Sequence, residues 1–405
     1  MIPSRVVVTG MGTITALGKN YNDFWRSLSS GVSGISPIEK VDCSDLRFNR
    51  GAEVKPYHEA DYFQPNQLIW LDRFTQFALI AAAEAVEDSK LTQHDLANAQ
   101  TAVITGSCLG GKTTEDEGFY RLYHQQKRSV HPSGIPKVMA NAGASHIAST
   151  YGIIGPSYTI STACSSSTHA IGHAFWLIRQ GIVSRAITGG SEAPFSYGHL
   201  RGWEALRVVT SDACRPFSNN RTGMILGEGG AMLMLESLSS AVSRGAHIHA
   251  EIVGFGMSTD ANHITDPDSS GQILAISSAL NDAHIKPDNV HYINAHGTGT
   301  KANDHVESTT IRAAFPHANQ HLWVSSTKAA HGHLLGATGA TETIATILAI
   351  KHQLIPPTLN FLEADPACDV PLVVNTARPT EIDYAVCSTF AFGGLNAILV
   401  LRRFS

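Results

Sequence analysis

Paired cysteines are missing from this sequence. Its six cysteines (Cys43, Cys108, Cys164, Cys214, Cys368 and Cys387) are scattered, and no two form a C-x-x-C pair. A disulfide framework, a structural zinc site and an iron–sulfur cluster are therefore unsupported. Charge is sparse too: 29 basic against 34 acidic residues give a formal net charge of -5. That balance lacks the general basic footprint of a nucleic-acid binder, although a local basic patch could still dock an acidic protein. No apolar run approaches the roughly 20 residues that cross a bilayer, and the run after Met1 is too early and too short for a secretory signal. The expectation is a cytoplasmic protein without membrane insertion. Glycine-rich stretches such as Gly227-Glu-Gly-Gly230 and Gly297-Thr-Gly299 match neither dinucleotide nor P-loop spacing, and read as tight turns.

What the chain does have is alternation. Short apolar runs such as Thr101-Ala-Val-Ile-Thr-Gly106 and Ala231-Met-Leu-Met-Leu-Glu236 read as buried strands. Alanine-rich runs such as Phe74–Glu87 read as buried helices, and the alternation predicts a layered α/β fold. Arg5-Val-Val-Val-Thr-Gly-Met-Gly12 and Ala250-Glu-Ile-Val-Gly-Phe-Gly-Met257 are alike, each read as a strand ending in glycine-rich turn chemistry. Their separation suits a duplicated unit, with halves at 1–245 and 246–405.

Cys164 stands out within Ser161-Thr-Ala-Cys164-Ser-Ser-Ser, between a short strand and a helix. Unpaired helix N–H groups at such an elbow favour a thiolate, which marks Cys164 as a candidate nucleophile. Two histidine loops follow predicted strands in the second half, Asn294-Ala-His296-Gly-Thr298-Gly-Thr300 and Ser326-Thr-Lys328-Ala-Ala-His-Gly-His333. Strand ends are where α/β proteins collect ligands. Two neutral imidazoles can donate N–H groups to a thioester oxygen that becomes negative. A metal at His331-x-His333 is disfavoured, because the stretch reads as loop and Lys328 would oppose a cation. Lys328 and Glu342 are expected as a buried pair, since a lone buried lysine is costly.

At these residues the sequence resembles a β-ketoacyl-[acyl-carrier-protein] synthase of the elongating, synthase II type. The resemblance runs from Arg5 to Leu401 and rests on Thr162-Ala-Cys164-Ser-Ser, the two histidine loops and Phe390-Ala-Phe392-Gly-Gly394 with Asn396. It implies a thiolase-like fold, a duplicated core in five layers, α-β-α-β-α, and a dimer with active sites near the interface. It further implies that Cys164 accepts an acyl chain from acyl carrier protein and that His296 and His333 support decarboxylation of the malonyl group. The backbone N–H groups of Cys164 and Phe392 would form the oxyanion hole, with Phe392 as gate. Lys328, Glu342, Asp304, Thr298 and Thr300 would support the site, without cofactor or metal. The expected assembly is a homodimer, with a heterodimer containing a related ketosynthase-like subunit as the alternative.

Several positions depart from the family pattern. Ala391 and Leu395 replace a glycine and a threonine of the gate, and Ser167 stands where glycine is common. Leu109 and Trp203 are expected to line the acyl pocket, with Trp203 larger than its usual counterpart. Arg207 and Arg73 are the basic residues expected at carrier-protein docking, beside an unusual Ile69-Trp70. These departures resemble specialised synthases of nodulation-factor or aryl-polyene type. Two competing readings are a thiolase-like coenzyme A acyltransferase and a non-catalytic subunit that sets chain length.

Overall fold

The computed structural model describes residues 3–317 and 321–404 of the 405. Ten strands form one continuous sheet: β1 (Val6–Thr15), β2 (Thr101–Gly106), β3 (Ser157–Ile160), β4 (Arg185–Glu192), β5 (Gly229–Ser237), β6 (Ala250–Thr259), β7 (Tyr292–Asn294), β8 (Trp323–Ser325), β9 (Tyr384–Ala391) and β10 (Leu395–Arg402). Their order is β8-β7-β9-β10-β6-β1-β5-β4-β2-β3. From the centre outward, β1-β5-β4-β2-β3 repeats the order of β6-β10-β9-β7-β8. The two sets meet where Val6–Val8 pairs antiparallel with Ala250–Ile252.

The glycines of the two similar segments explain this repeat, and they correct their reading as turns. Gly10 and Gly12 sit within β1, which runs on to Thr15. A Cβ on either would lie 2.1 Å from a carbonyl oxygen, that of Ala85 or Ala81, on helix α1 (Arg73–Ser89). The counterparts Gly254 and Gly256 in β6 face α6 (Ser269–Asp282), where a Cβ would lie 2.3 and 2.2 Å from the oxygens of Ala279 and Ala275. Glycine here lets a helix backbone lie directly on a strand. The same device serves both halves.

Three buried clusters separate the layers. Helix α1 packs with α3 (Ala142–Tyr151), which follows α2 (Lys112–Phe119) in the chain, on the outer face of the first five strands. Helices α6 and α7 (Lys301–Ala314) cover the outer face of the second five. Between them lie α4 (Ser166–Arg179) and α8 (Thr338–His352), sharing a cluster with strands of both halves. The result is the α-β-α-β-α stack, with α4 and α8 buried at its centre. No helix among the described residues is long and apolar enough to cross a membrane.

Candidate active site

Cys164 lies on the five-residue elbow between β3 and the buried helix α4. The residue before it, Ala163, has φ +49°, a left-handed conformation that costs a non-glycine residue about 1 kcal/mol or more. Short polar clamps hold that strain in place. Ser166 Oγ accepts from Thr162 N at 2.9 Å and donates to the Ala163 carbonyl at 2.6 Å. Ser165 Oγ lies 2.8 Å from the Thr162 carbonyl and 3.0 Å from that of Leu395. The run of serines after the cysteine thus shapes the elbow.

The second half brings both histidines to this sulfur. Cys164 Sγ and one ring nitrogen each of His296 and His333 lie within 4.8 Å of one another. His333 Nε2 is 3.1 Å from Sγ, and all three residues line a cavity of about 210 Å³. The backbone N–H of Leu335 donates to His333 Nδ1 at 3.2 Å, so that nitrogen carries the lone pair and Nε2 carries the proton. His333 therefore offers an N–H to the sulfur or to an oxygen beside it. Burial, then the charge of Lys328, holds both imidazoles well below the usual histidine pKa. Both are neutral, and His333 is a donor.

Burial also pushes the Cys164 thiol up to about 12, against the pull of Lys328 and of the Phe392 N–H. This corrects the expectation of a standing thiolate: desolvation outweighs the helix N-terminus, and the resting group is a thiol. Lys328 Nζ meets Glu342 Oε1 at 2.5 Å, and both side chains are fully buried. Burial raises the Glu342 carboxyl and Lys328 lowers it. His331 is turned away, its Nδ1 donating to the Gly332 carbonyl at 2.7 Å and its Nε2 bonded to Thr327 Oγ1 at 2.9 Å. The histidine pair adjacent in sequence is thus not the pair brought together. Cys164, His296 and His333 are a donor set that could bracket a soft divalent ion, but a cation there would occupy the sulfur and both imidazoles at once.

Polar residues behind the histidines set their loop. Asp304 Oδ2 accepts from Phe217 N at 2.7 Å and Oδ1 from Gly299 N at 3.2 Å. Thr298 and Thr300 join hydroxyls at 2.9 Å, and Thr300 caps α7. Sequence reasoning missed Glu307, whose carboxylate accepts from the backbone of His296 and Gly297, each at 2.7 Å. It also missed Glu192, which receives the Cys108 and Leu109 N–H groups at 3.1 and 3.3 Å. Burial raises both carboxyls to about 7. One signal was available: Asn303, Asp304 and Glu307 place polar groups on the buried face of α7, where apolar residues are the norm.

Comparison with known proteins identifies this arrangement. The β-ketoacyl synthase N-terminal domain matches residues 3–241, and the C-terminal domain matches residues 249–362. The chain belongs to the β-ketoacyl synthase family. It is 39% identical to a 3-oxoacyl-[acyl-carrier-protein] synthase 2 of Staphylococcus aureus, over 99% of this chain and 98% of that protein. Among solved structures, the ishigamide ketosynthase/chain length factor superposes with TM-score 0.96 at 33% identity, covering all of both chains. The ketosynthase complex AntDE:AntF, a type II polyketide system with its acyl-carrier protein, superposes with TM-score 0.91 at 31% identity, covering 99% of this chain and 100% of that one. The protein is a condensing ketosynthase that forms carbon–carbon bonds on a thiolase-like fold.

Against the family pattern, the unusual residues find physical explanations. Ala391 ends β9 and lines the cavity; it has no positive φ, so its methyl adds wall without straining the gate. The turn itself is carried by Gly393 and Gly394, at φ +84° and +68°. Leu395 opens β10, and its carbonyl accepts one clamp from Ser165. Ser167 Oγ accepts from Ala340 N at 2.9 Å, fastening α4 to α8. Phe392 and Trp203, whose ring planes lie 27° apart, both line the cavity, with Trp203 on α5 (Tyr197–Leu206).

Arg73, expected at carrier-protein docking, is engaged inside the protein: it makes two bonds, of 2.8 and 2.6 Å, to the fully buried Glu228 and lies over the rings of Tyr57 and Phe77. A buried carboxylate needs that cation, which leaves no free charge for a partner. Leu109 packs in one buried cluster with Trp203 and Phe392. Its backbone N–H donates to Glu192 at 3.3 Å. Arg207 is exposed at the C-terminal end of α5 and forms no ion pair among the described residues, while Ile69 and Trp70 are exposed.

Proposed function

We propose that Cys164 is acylated by an acyl-[acyl carrier protein] and then condensed with malonyl-[acyl carrier protein]. The observation that carries this reading is one sulfur and two neutral imidazoles gathered within 4.8 Å at a cavity. In the first step Cys164 Sγ attacks the acyl thioester; its proton leaves with the departing carrier thiol, so no separate acceptor is consumed. His296 and His333 then donate to the malonyl thioester oxygen as carbon dioxide departs, and negative charge moves onto that oxygen. The new carbanion attacks the acyl-Cys164 carbonyl, with the oxyanion facing the Cys164 and Phe392 N–H groups. Collapse breaks the carbon–sulfur bond and releases a 3-oxoacyl carrier two carbons longer, and the expelled Cys164 thiolate takes a proton from water to restore the thiol. Lys328 and Glu342 hold the second histidine loop on α8, while Asp304, Thr298, Thr300 and Glu307 shape the first.

Residues 1–245 act as the half that supplies the nucleophile, and 246–405 as the half that supplies the donors. Carrier protein is the partner, with Arg207 at its landing site; one close structural neighbour is a ketosynthase held with its acyl-carrier protein. The exposed strand β3, an unpaired sheet edge leading straight to Cys164, supports a dimer built beside the active site. Trp203 supports a second, narrower reading, a specialised polyketide or modified fatty-acid pathway, because a large ring beside the gate limits the acyl group.

Incubation with acyl-carrier protein and radiolabelled malonyl-carrier protein tests the reaction. Carbon dioxide release with a 3-oxo product two carbons longer is expected. Transfer from free coenzyme A thioesters without decarboxylation supports the thiolase reading instead. Absence of acyl transfer to Cys164 overturns both.

A further inference from the structure

Trp203 does not stand alone at the cavity wall. Four residues earlier on α5, one turn back and on the same face, lies His199. The Trp203 Nε1–H donates to His199 Nε2 at 2.7 Å, and the two rings meet edge to face with planes 86° apart. Indole nitrogen can only donate, so His199 Nε2 must carry a lone pair, and the imidazole must be neutral. Burial, then the positive charge of Lys112, pushes His199 down to about 4, which keeps that acceptor available. The helix carrying both residues is itself fastened: Gly198 N donates to Asp116 Oδ2 at 3.0 Å. The indole also meets Phe392, ring centroids 6.4 Å apart.

We propose that His199 is a positioning residue that holds the Trp203 indole as a fixed flat wall beside Phe392, so that the channel discriminates against methyl-branched acyl tails. A tryptophan free to rotate about two side-chain torsions would yield to a branch. One whose N–H is already bonded to the half-buried His199 loses that bond when it moves. A wall that cannot yield turns a small difference in cross-section into a difference in rate. The inference rests on the reading of Trp203 as part of the acyl channel, and it adds His199 as the residue that makes that wall rigid.

The test is the initial rate of Cys164 acylation, followed by mass spectrometry, with straight and methyl-branched acyl-carrier proteins of equal chain length. Wild type, His199→Phe, His199→Gln, Trp203→Phe and the His199→Phe/Trp203→Phe double variant are compared. A further form carries benzothienylalanine at position 203, which keeps the ring shape but has no N–H. His199→Phe is expected to lower the straight-to-branched ratio of kcat/KM by about tenfold, the scale of a small change in pocket shape. The benzothienyl form should match it, His199→Gln should restore the wild-type ratio through its amide oxygen, and the double variant should add nothing to Trp203→Phe. A wild-type ratio in the benzothienyl form, or fully multiplicative effects in the double variant, overturns the inference. The benzothienyl form decides the matter even where His199→Phe does not fold. A wild-type protein that takes no acyl group at Cys164 instead defeats the proposed function, so the two failures are distinct.

Discussion

The two halves of the molecule repeat one strand order but use it differently. In the first half, β3 reaches its central helix α4 through five residues, and that elbow carries the sulfur. In the second half, the equivalent β8 reaches α8 through twelve residues, and the longer path carries Lys328, His331 and His333. The loops after the second strand of each half correspond as well. After β2, Ser107, Cys108 and Leu109 donate to the buried Glu192; after β7, His296 and Gly297 donate to the buried Glu307. Each half pins that loop with a buried carboxyl, one from the end of a strand and the other from a helix. The scaffold is shared, and seven extra residues at one elbow make room for the ion pair and the second donor.

Separating the two contributions gives the largest expected effect. Cys164→Ala should reduce condensation by on the order of 10⁴-fold or more, as loss of a covalent nucleophile does elsewhere. It should leave decarboxylation of malonyl-carrier protein measurable, because both donors sit in the other half. His333→Ala should do the reverse: acyl still reaches Cys164, while decarboxylation falls by about 10²–10³-fold for loss of one preformed donor. Equal loss of both steps in both variants would mean that the halves do not divide the chemistry. Next comes the pair that only the second half has. Glu342→Gln leaves a fully buried lysine without its counter-charge, and thermal or denaturant unfolding should show a loss of about 3–5 kcal/mol. A loss below about 1 kcal/mol would mean that Lys328 finds another partner.

What the sequence made legible follows the same divide between local and distant. The nucleophile, the two histidine loops and the repeated Gly-x-Gly strands are local patterns, and the fold brings the cysteine and the histidines into one site. The mid-strand glycines were misread as turns because their reason lies across the sheet, in the carbonyls of Ala81, Ala85, Ala275 and Ala279. Arg73 was read as free charge because Glu228, its partner, is 155 residues away. Glu192 and Glu307 went unnoticed because a carboxyl that binds backbone N–H groups leaves no signature in its partners' identities. His199 was hidden differently: its H-x-x-x-W spacing was in plain view, but only the hydrogen bond makes it more than two residues on one helix face.

The crossing of the two central helices offers a third, smaller effect. A Cβ on Gly339 would lie 1.9 Å from Thr168 Oγ1, and Thr168 is itself bonded to Thr389 at 2.7 Å. The α4 and α8 N-termini therefore touch through a position that admits no side chain. Gly339→Ala should destabilise by about 1–3 kcal/mol through overpacking, read as a lower midpoint in denaturant. Because this contact lies under the elbow, kcat should fall along with stability. An unchanged midpoint would mean that the two halves can slide apart at their centre without cost.

The effect that is smallest at neutral pH concerns the histidines behind each elbow. In the first half His169 Nδ1 meets Thr162 Oγ1 and the Ser165 carbonyl; in the second His331 braces Thr327 and Gly332. Burial lowers both, His331 to about 3. An unfolded histidine titrates near 6.5, so below that pH the unfolded chain binds a proton that folded His331 refuses. Stability contributed by His331 is therefore complete above about pH 6.5 and is lost as pH falls toward 3, by about 1.4 kcal/mol per pH unit at the steepest. The raised carboxyls Glu192 and Glu307 act in the opposite sense over pH 4.5–7, since the folded state holds their protons longer. Both proteins in the comparison keep those groups. The difference between wild type and His331→Gln thus isolates one histidine, and near pH 5 the variant's slope of stability against pH should be lower by one proton. Parallel slopes would mean that His331 takes up a proton without unfolding, and that the longer elbow is less tightly closed than the short one.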